Sequence, residues 1–288
     1  MIYVTGDMHG DESRFYSKEF KELQPHDTLI VTGDFGFVWD GSKKEKKMLK
    51  YLGSRKYNVC FIDGPHDNYD RIYSYRETIW HGGRVHRISG RLFHLCRGQI
   101  FNFEGCSIFT FGGGESADKD LRNENQIWFK EELPTPRQMT IGAKNLDDYD
   151  CKVDFIITHE PPSVVKRAMQ MRQGKTIYTN KLNGYLEELG KNCEFRQWYF
   201  GSFHEDRNIT PKYTSVYREL IPINEFIEPE IDGIIKYDDE SIENESIPLD
   251  DEVSTTDKAE LDSDVAAHST GFEEPKPELS DLFVKEEG

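Results

Sequence analysis

Five times within residues 1–204 a short apolar run stops at a loop carrying aspartate, histidine or both. The loops are Gly6-Asp7-Met8-His9, Gly33-Asp34-Phe35-Gly36, Gly64-Pro65-His66-Asp67, Thr158-His159 and Gly201-Ser202-Phe203-His204. The runs before the first four, at 2–5, 28–32, 59–63 and 155–158, have the length and β-branched content of buried strands, and 197–200 precedes the fifth. Helix-like stretches at 13–23, 43–54 and 182–189 lie between them. This alternation predicts an α/β sheet protein. Such folds gather their chemistry beyond the carboxyl ends of strands, where these loops fall.

The middle of the chain has a different rhythm. Apolar runs at 85–88, 92–96, 99–103 and 106–111 are separated by Ser89-Gly90, Arg97-Gly98 and Glu104-Gly105, which predicts an antiparallel meander. Gly112-Gly113-Gly114 closes it as a tight turn. A phosphate-cradling loop is the alternative, but no Lys-Ser/Thr follows the triplet.

The net charge of −17 is unevenly spread. Residues 225–288 hold 22 of the 53 acidic and 4 of the 36 basic side chains, so residues 1–224 are nearly neutral, with 31 and 32. A neutral body tolerates anionic small substrates and lacks the broad basic footprint of a nucleic-acid binder. The sequence therefore divides into a domain at 1–224 and an acidic tail at 225–288, expected to be disordered and available to a protein partner. The tail's end, 277–287, is expected to be frayed, with a short docking motif around Leu279, Leu282, Phe283 and Val284 as the alternative. No apolar run approaches the ~18–20 residues of a membrane span. The chain enters Ile2-Tyr3-Val4 directly, so no signal segment is expected. The five cysteines, odd in number, widely spaced and without Cys-x-x-Cys, read as free thiols in a reducing cytoplasm rather than as a metal site.

Asp7 and His9, two apart on a glycine-flanked turn, can reach one ion, and the two oxygens of Asp34 can bridge two. A single Gly-Asp-x-His is weak evidence, since a capped turn with a surface histidine is more common. Five such blocks, each at a strand end, point to one shared site. The blocks in this order resemble the calcineurin-like metallophosphoesterases, whose pattern is Gly-Asp-x-His, Gly-Asp, Gly-Asn-His-Asp/Glu, a lone His and Gly-His-x-His. The resemblance covers about residues 1–220. It is nearest to a small bacterial-type group with Gly-Asp-Phe-Gly as the second block, and Trp80-x-Gly-Gly-x-Val-His, His94-Leu-x-Arg-Gly-Gln-Ile-Phe and Phe109-Thr-Phe-Gly-Gly are similar to that group too.

The resemblance implies two mixed β-sheets packed as a sandwich flanked by helices, and a two-metal centre that hydrolyses phosphate mono- or diesters. It assigns Asp7, His9, Asp34 and His204 to the first metal, and Asp34 and His159 to the second. The second metal's remaining ligands, an asparagine and a histidine, are replaced by Pro65, which has no side-chain donor, and by Ser202, a poor one. It assigns His66 to protonation of the leaving oxygen, with Asp67 orienting it. Mixed Asp and His ligation admits Mn, Fe, Zn or Ni, with Mn first. Two readings follow: a metal-dependent hydrolase relying on one tightly bound ion, or an impaired pseudo-phosphoesterase that binds phosphoesters or proteins. Arg14 and Arg97 are expected to pair with surface acids rather than phosphate. His26, His81, His86, His94 and His268 need no function. Trp39 and Trp80 read as core or rim, and the lysines of 43–50 as a solvated helix face.

Overall fold

β1 (Ile2–Thr5), β2 (Thr28–Val31) and β3 (Asn58–Phe61) lie side by side and parallel. Successive residues of a strand point to opposite faces, so each strand feeds two apolar layers. Ile2, Val4, Ile30 and Cys60 enter one layer; Leu29, Val31, Val59 and Phe61 enter the other. Burial on both faces is why these runs are continuously apolar rather than alternating.

The computed structural model describes residues 1–116, 118–124, 127–223 and 278–283. In it the three strands join β4 (Glu77–Trp80), β5 (Gly83–Ser89) and β6 (Leu92–Leu95). A second sheet holds β7 (Gln99–Phe103), β8 (Cys106–Phe111), β9 (Phe155–Thr158), β10 (Gln197–Phe200), β11 (Arg207–Thr210) and β12 (Tyr213–Ser215). The last strand, β13 (Ile221–Pro222), returns to the first sheet. The spatial orders are β13-β1-β2-β3-β6-β5-β4 and β11-β12-β10-β9-β8-β7. Between the sheets Ile2, Ile30 and Phe93 meet Phe101, Ile108, Phe155 and Ile157.

Helices close both outer faces. α1 (Lys18–Glu22), α2 (Lys43–Gly53) and α3 (Tyr69–Tyr73) cover the first sheet, α2 through Met48, Leu49 and Leu52. After α4 (Lys119–Glu124), the second sheet is covered by α5 (Pro136–Asp147), α6 (Ser163–Arg172) and α7 (Lys181–Asn192), through Leu146, Val165, Met169, Leu186 and Leu189. This is the expected α/β sandwich of two mixed sheets flanked by helices. The lysines of α2 are exposed, as a solvated face requires.

Two elements depart from expectation. The stretch 13–23 is a 3-10 turn (Glu12–Tyr16) followed by α1, because Ser17 is extended and its Oγ caps α1 at the Phe20 amide. The meander is not a single sheet. β5 and β6 pair antiparallel in the first sheet and β7 and β8 in the second, so the chain changes sheets at Arg97-Gly98.

Most of the tail lies outside the described residues, and so does the expectation of disorder. Its described segment corrects the frayed end: Leu279–Phe283 form a 3-10 turn against α5. Asp147 accepts the Leu279 and Ser280 amides at 2.8 and 2.9 Å, Leu279 is buried, and the Phe283 ring lies 4.9 Å from that of Tyr185. Leu279→Ala is expected to lower the free energy of unfolding by about 2 kcal/mol, measured by urea titration. That is the low end for a buried leucine, because a short segment can detach instead of leaving a cavity.

Among the described residues no helix is long and apolar enough to cross a membrane. All five cysteines are free thiols.

Candidate metal centre

The parallel strands of both sheets end at one place. β1 delivers Asp7 and His9, β2 Asp34, β3 His66 and Asp67, β9 His159, and β10 Ser202 and His204. Two glycines let these loops close in. A Cβ on Gly201 would stand 2.3 Å from Asp7 Oδ1, and one on Gly64 would stand 2.3 Å from Asp34 Oδ1. Four non-glycine residues here adopt left-handed backbone: His9 (φ 46°), Asp34 (43°), Ser202 (55°) and His204 (50°). Such conformations cost about 1–3 kcal/mol each and persist where the surroundings impose them, typically at functional sites.

All five expected metal ligands converge. Asp7 Oδ2 lies 3.0 Å from His204 Nε2, which lies 3.1 Å from His9 Nε2, and His9 Nε2 is 3.9 Å from Asp34 Oδ2. Four ligands around a zinc-sized ion stand about 3.3 Å apart, so this spacing suits one cation. The Tyr217 ring stacks on His204 at 4.8 Å. His159 approaches the same Asp34 oxygen as His9, and its Nδ1 is 3.0 Å from the Thr32 carbonyl oxygen. Donation there leaves Nε2, 4.0 Å from Asp34 Oδ2, as the free donor atom. Asp7, His9 and His204, and likewise Asp7, Asp34 and His159, bring ligand atoms within 4.8 Å of one another.

Electrostatics calls for positive charge at this point. Asp7 and Asp34 are both 2 % exposed, and Asp7 Oδ1 has no hydrogen-bond partner. Burial works against charge on His159, yet Asp7 and Asp34 overcome it and raise the imidazole to about 10. Burial likewise opposes ionisation of Asp7 and Asp34, and the attraction of His159 leaves both carboxyls below the usual range. Two buried carboxylates with an orphan oxygen and imidazoles on either side fit a bound divalent cation.

The half centred on His159 is poorer. Pro65 stands beside His159, both flanking Gly114, and contributes only its carbonyl, which accepts from Arg122 at 2.6 Å. The Ser202 Oγ has no partner, and its amide donates to Asp7 Oδ2 at 3.2 Å.

His66 and Asp67 do not pair. His66 Nδ1 lies 2.8 Å from Asp34 Oδ2, its amide donates to Asp34 Oδ1 at 2.7 Å, and its Nε2 is 3.5 Å from Asp118. The bond to Asp34 raises the His66 imidazole above its usual range. Asp67 instead accepts the amides of Gly36, Gly64 and Phe35 at 2.9, 3.0 and 3.3 Å. Burial and the neighbouring Asp34 raise its carboxyl to about 7. Its observed contacts clamp the two loops together rather than orient His66.

Arg14 and Arg97 were expected to pair with surface acids, and neither does. Arg14 is buried under the first loop and donates to the carbonyls of Gly6, Asp7 and Tyr217 and to Thr5 Oγ1. Arg97 is held by buried Asp63. The glycine triplet does not form the expected tight turn: it leaves β8 without turn hydrogen bonds, and the Gly113 and Gly114 amides donate to the carbonyls of Asp63 and Glu132. Asp118 and Arg122 carry no sequence signal that would have placed them here.

The calcineurin-like phosphoesterase family model matches residues 1–206, which span all five loops. The chain belongs to this family. A comparison with curated proteins finds no match. Membership makes this a metallophosphoesterase domain: the family's chemistry is phosphoester hydrolysis and its cofactors are divalent metal ions.

Proposed function

We propose that this phosphoesterase hydrolyses phosphate mono- or diesters with one tightly held divalent ion, Mn2+ in the first instance over Fe, Zn or Ni, and a second ion held weakly. The observation that carries the proposal is the contrast between the two halves of the centre. Asp7, His9, Asp34 and His204 present imidazole nitrogens and carboxylate oxygens at ligand spacing. The other half has Asp34, His159 and an unpartnered Ser202 hydroxyl, with no side-chain donor from Pro65. A divalent ion supplies Lewis acidity toward phosphoryl oxygens and increases the acidity of water.

The chain's own groups do the rest. His66, with its side chain 40 % exposed at the rim, is held by Asp34 with a nitrogen turned toward Asp118. That placement supports donation of a proton to the departing oxygen. The Thr32 carbonyl fixes which His159 nitrogen faces Asp34. Arg14 and Asp67 hold the loops at their spacing.

Metal analysis of the purified protein, alongside assays with an aryl phosphate and a bis-aryl phosphodiester, tests the proposal. The expected result is one tightly bound ion per chain that Asp34→Asn abolishes, and turnover that rises with added Mn2+. Two tightly bound ions that both depend on Asp34, with unassisted turnover, would overturn the depleted half. The second reading, a phosphoester-binding module without turnover, rests on the fact that Pro65 and Ser202 both fall on that half. It gains if the ion is bound and neither ester is cleaved. Pro65→Asn combined with Ser202→His is expected to add a second tightly bound ion, read by metal analysis after exhaustive dialysis. Unchanged stoichiometry would count against the ligand assignment.

A further inference from the structure

β5 and β6 set two histidines opposite each other. His86 and His94 are direct cross-strand partners, so they share a sheet face, and Cys96 follows His94 by two residues just beyond β6. We infer that His86, His94 and Cys96 form a separate metal site for a zinc-like ion, distinct from the phosphoesterase centre. His86 Nδ1 lies 3.0 Å from His94 Nδ1 and 3.6 Å from Cys96 Sγ. A tetrahedral zinc with nitrogen bonds near 2.0 Å and a sulfur bond near 2.3 Å places such atoms about 3.3 and 3.6 Å apart. All three residues are buried, at 8 %, 1 % and 8 % exposure, and one ligand atom from each lies within 4.8 Å of the others.

The surroundings are those of a metal ligand. His94 Nε2 lies 2.9 Å from Asp63 Oδ1. Donation there directs the Nδ1 lone pair toward His86 and Cys96, the carboxylate–histidine arrangement that orients metal-bound imidazoles. Asp63 is itself held by Arg97, so the imidazole cannot swing away. A cavity of about 380 Å³ opens onto all three side chains and leaves room for a fourth ligand, water or Glu77, which lines the same cavity. As the Sγ–metal bond forms, the thiol gives its proton to solvent. A thiolate with two imidazoles selects zinc over manganese, whereas the carboxylate-rich centre at Asp7 and Asp34 accepts harder ions, so the two sites sort metals by ligand softness.

Cobalt(II) added to the chelator-treated full chain is the test, because only a cysteine-ligated ion gives a near-ultraviolet thiolate-to-cobalt band and no cysteine lies among the residues at Asp7 and Asp34. The expected result is a band that is displaced by zinc, persists in Cys151→Ser, and in Asp34→Asn, where the other centre is disabled, saturates at one equivalent. In Cys96→Ser it should be lost. Absence of the band in the wild-type protein, or its survival in Cys96→Ser, would overturn the site. Should Cys96→Ser not fold, X-ray absorption of the wild-type protein carrying zinc in place of cobalt decides. A sulfur neighbour at about 2.3 Å supports the site, and a shell of nitrogen and oxygen alone refutes it.

Discussion

His66→Ala is expected to lower kcat about 10²- to 10⁴-fold, the range for loss of a positioned general acid. The reasoning starts from where the ring stands. Its Nδ1 is anchored 2.8 Å from Asp34, its ring centroid is 5.6 Å from that of His9, and two-fifths of the side chain faces solvent. It therefore sits at the mouth, within reach of a departing oxygen. A competing role is visible in the same geometry, since His9, Asp34 and His66 also bring ligand atoms within 4.8 Å of one another. Two measurements separate the roles. A proton donor leaves metal content unchanged on substitution, whereas a ligand lowers it and lets excess metal restore activity. A donor also matters less when the leaving group is already acidic. The loss for a nitrophenyl ester should be smaller than for an alkyl ester. Equal losses for both, with reduced metal content, would make His66 a ligand.

The loops that carry the candidate ligands were legible because each follows a strand buried on both faces, and such strands announce themselves as unbroken apolar runs. What each loop residue touches was less legible. His66 and Asp67 are neighbours in sequence and looked like a pair. Adjacent residues on a turn point different ways, and Asp67 turned inward to the amides of Gly36 and Gly64. Asp118 reaches His66 from a segment with no pattern of its own. The switch of sheets after β6 was hidden for a related reason. A short apolar strand reads the same in either sheet, and the turn depends on Gly98, whose backbone packs against Gly142 of α5. α5 itself carried a readable signal in Thr135-Pro136-Arg137-Gln138, which forms a capping box. His86 and His94 looked scattered because only the hairpin register, with its irregularity between Arg87 and Ser89, sets them opposite each other.

The largest stability effect is expected at Arg97. Asp63 is fully buried, and Arg97, also buried, donates to its Oδ2 through Nε at 2.8 Å. The guanidinium continues to the Glu131 carbonyl at 2.8 Å and the Tyr69 hydroxyl at 3.2 Å, and Tyr69 donates to the Gly64 carbonyl at 2.8 Å. One side chain thus ties the end of β6 to the loop that carries His66. Arg97→Ala leaves a carboxylate in the interior whose remaining side-chain hydrogen-bond partners are His94 and Tyr69. Breaking a buried pair in this way costs about 3–5 kcal/mol, because the surviving charge loses its compensation without regaining water. For a domain of this size that corresponds to a fall in melting temperature of roughly 10 °C. Arg97→Lys should fall between, since an ammonium keeps the charge but not the planar fork that reaches three partners. The decisive comparison adds Asp63→Asn to Arg97→Ala. With the stranded charge removed, part of the lost stability should return, and the double change should melt above the single one. If the two melt alike, the cost lies in the missing arginine's packing and carbonyl bonds rather than in the buried carboxylate.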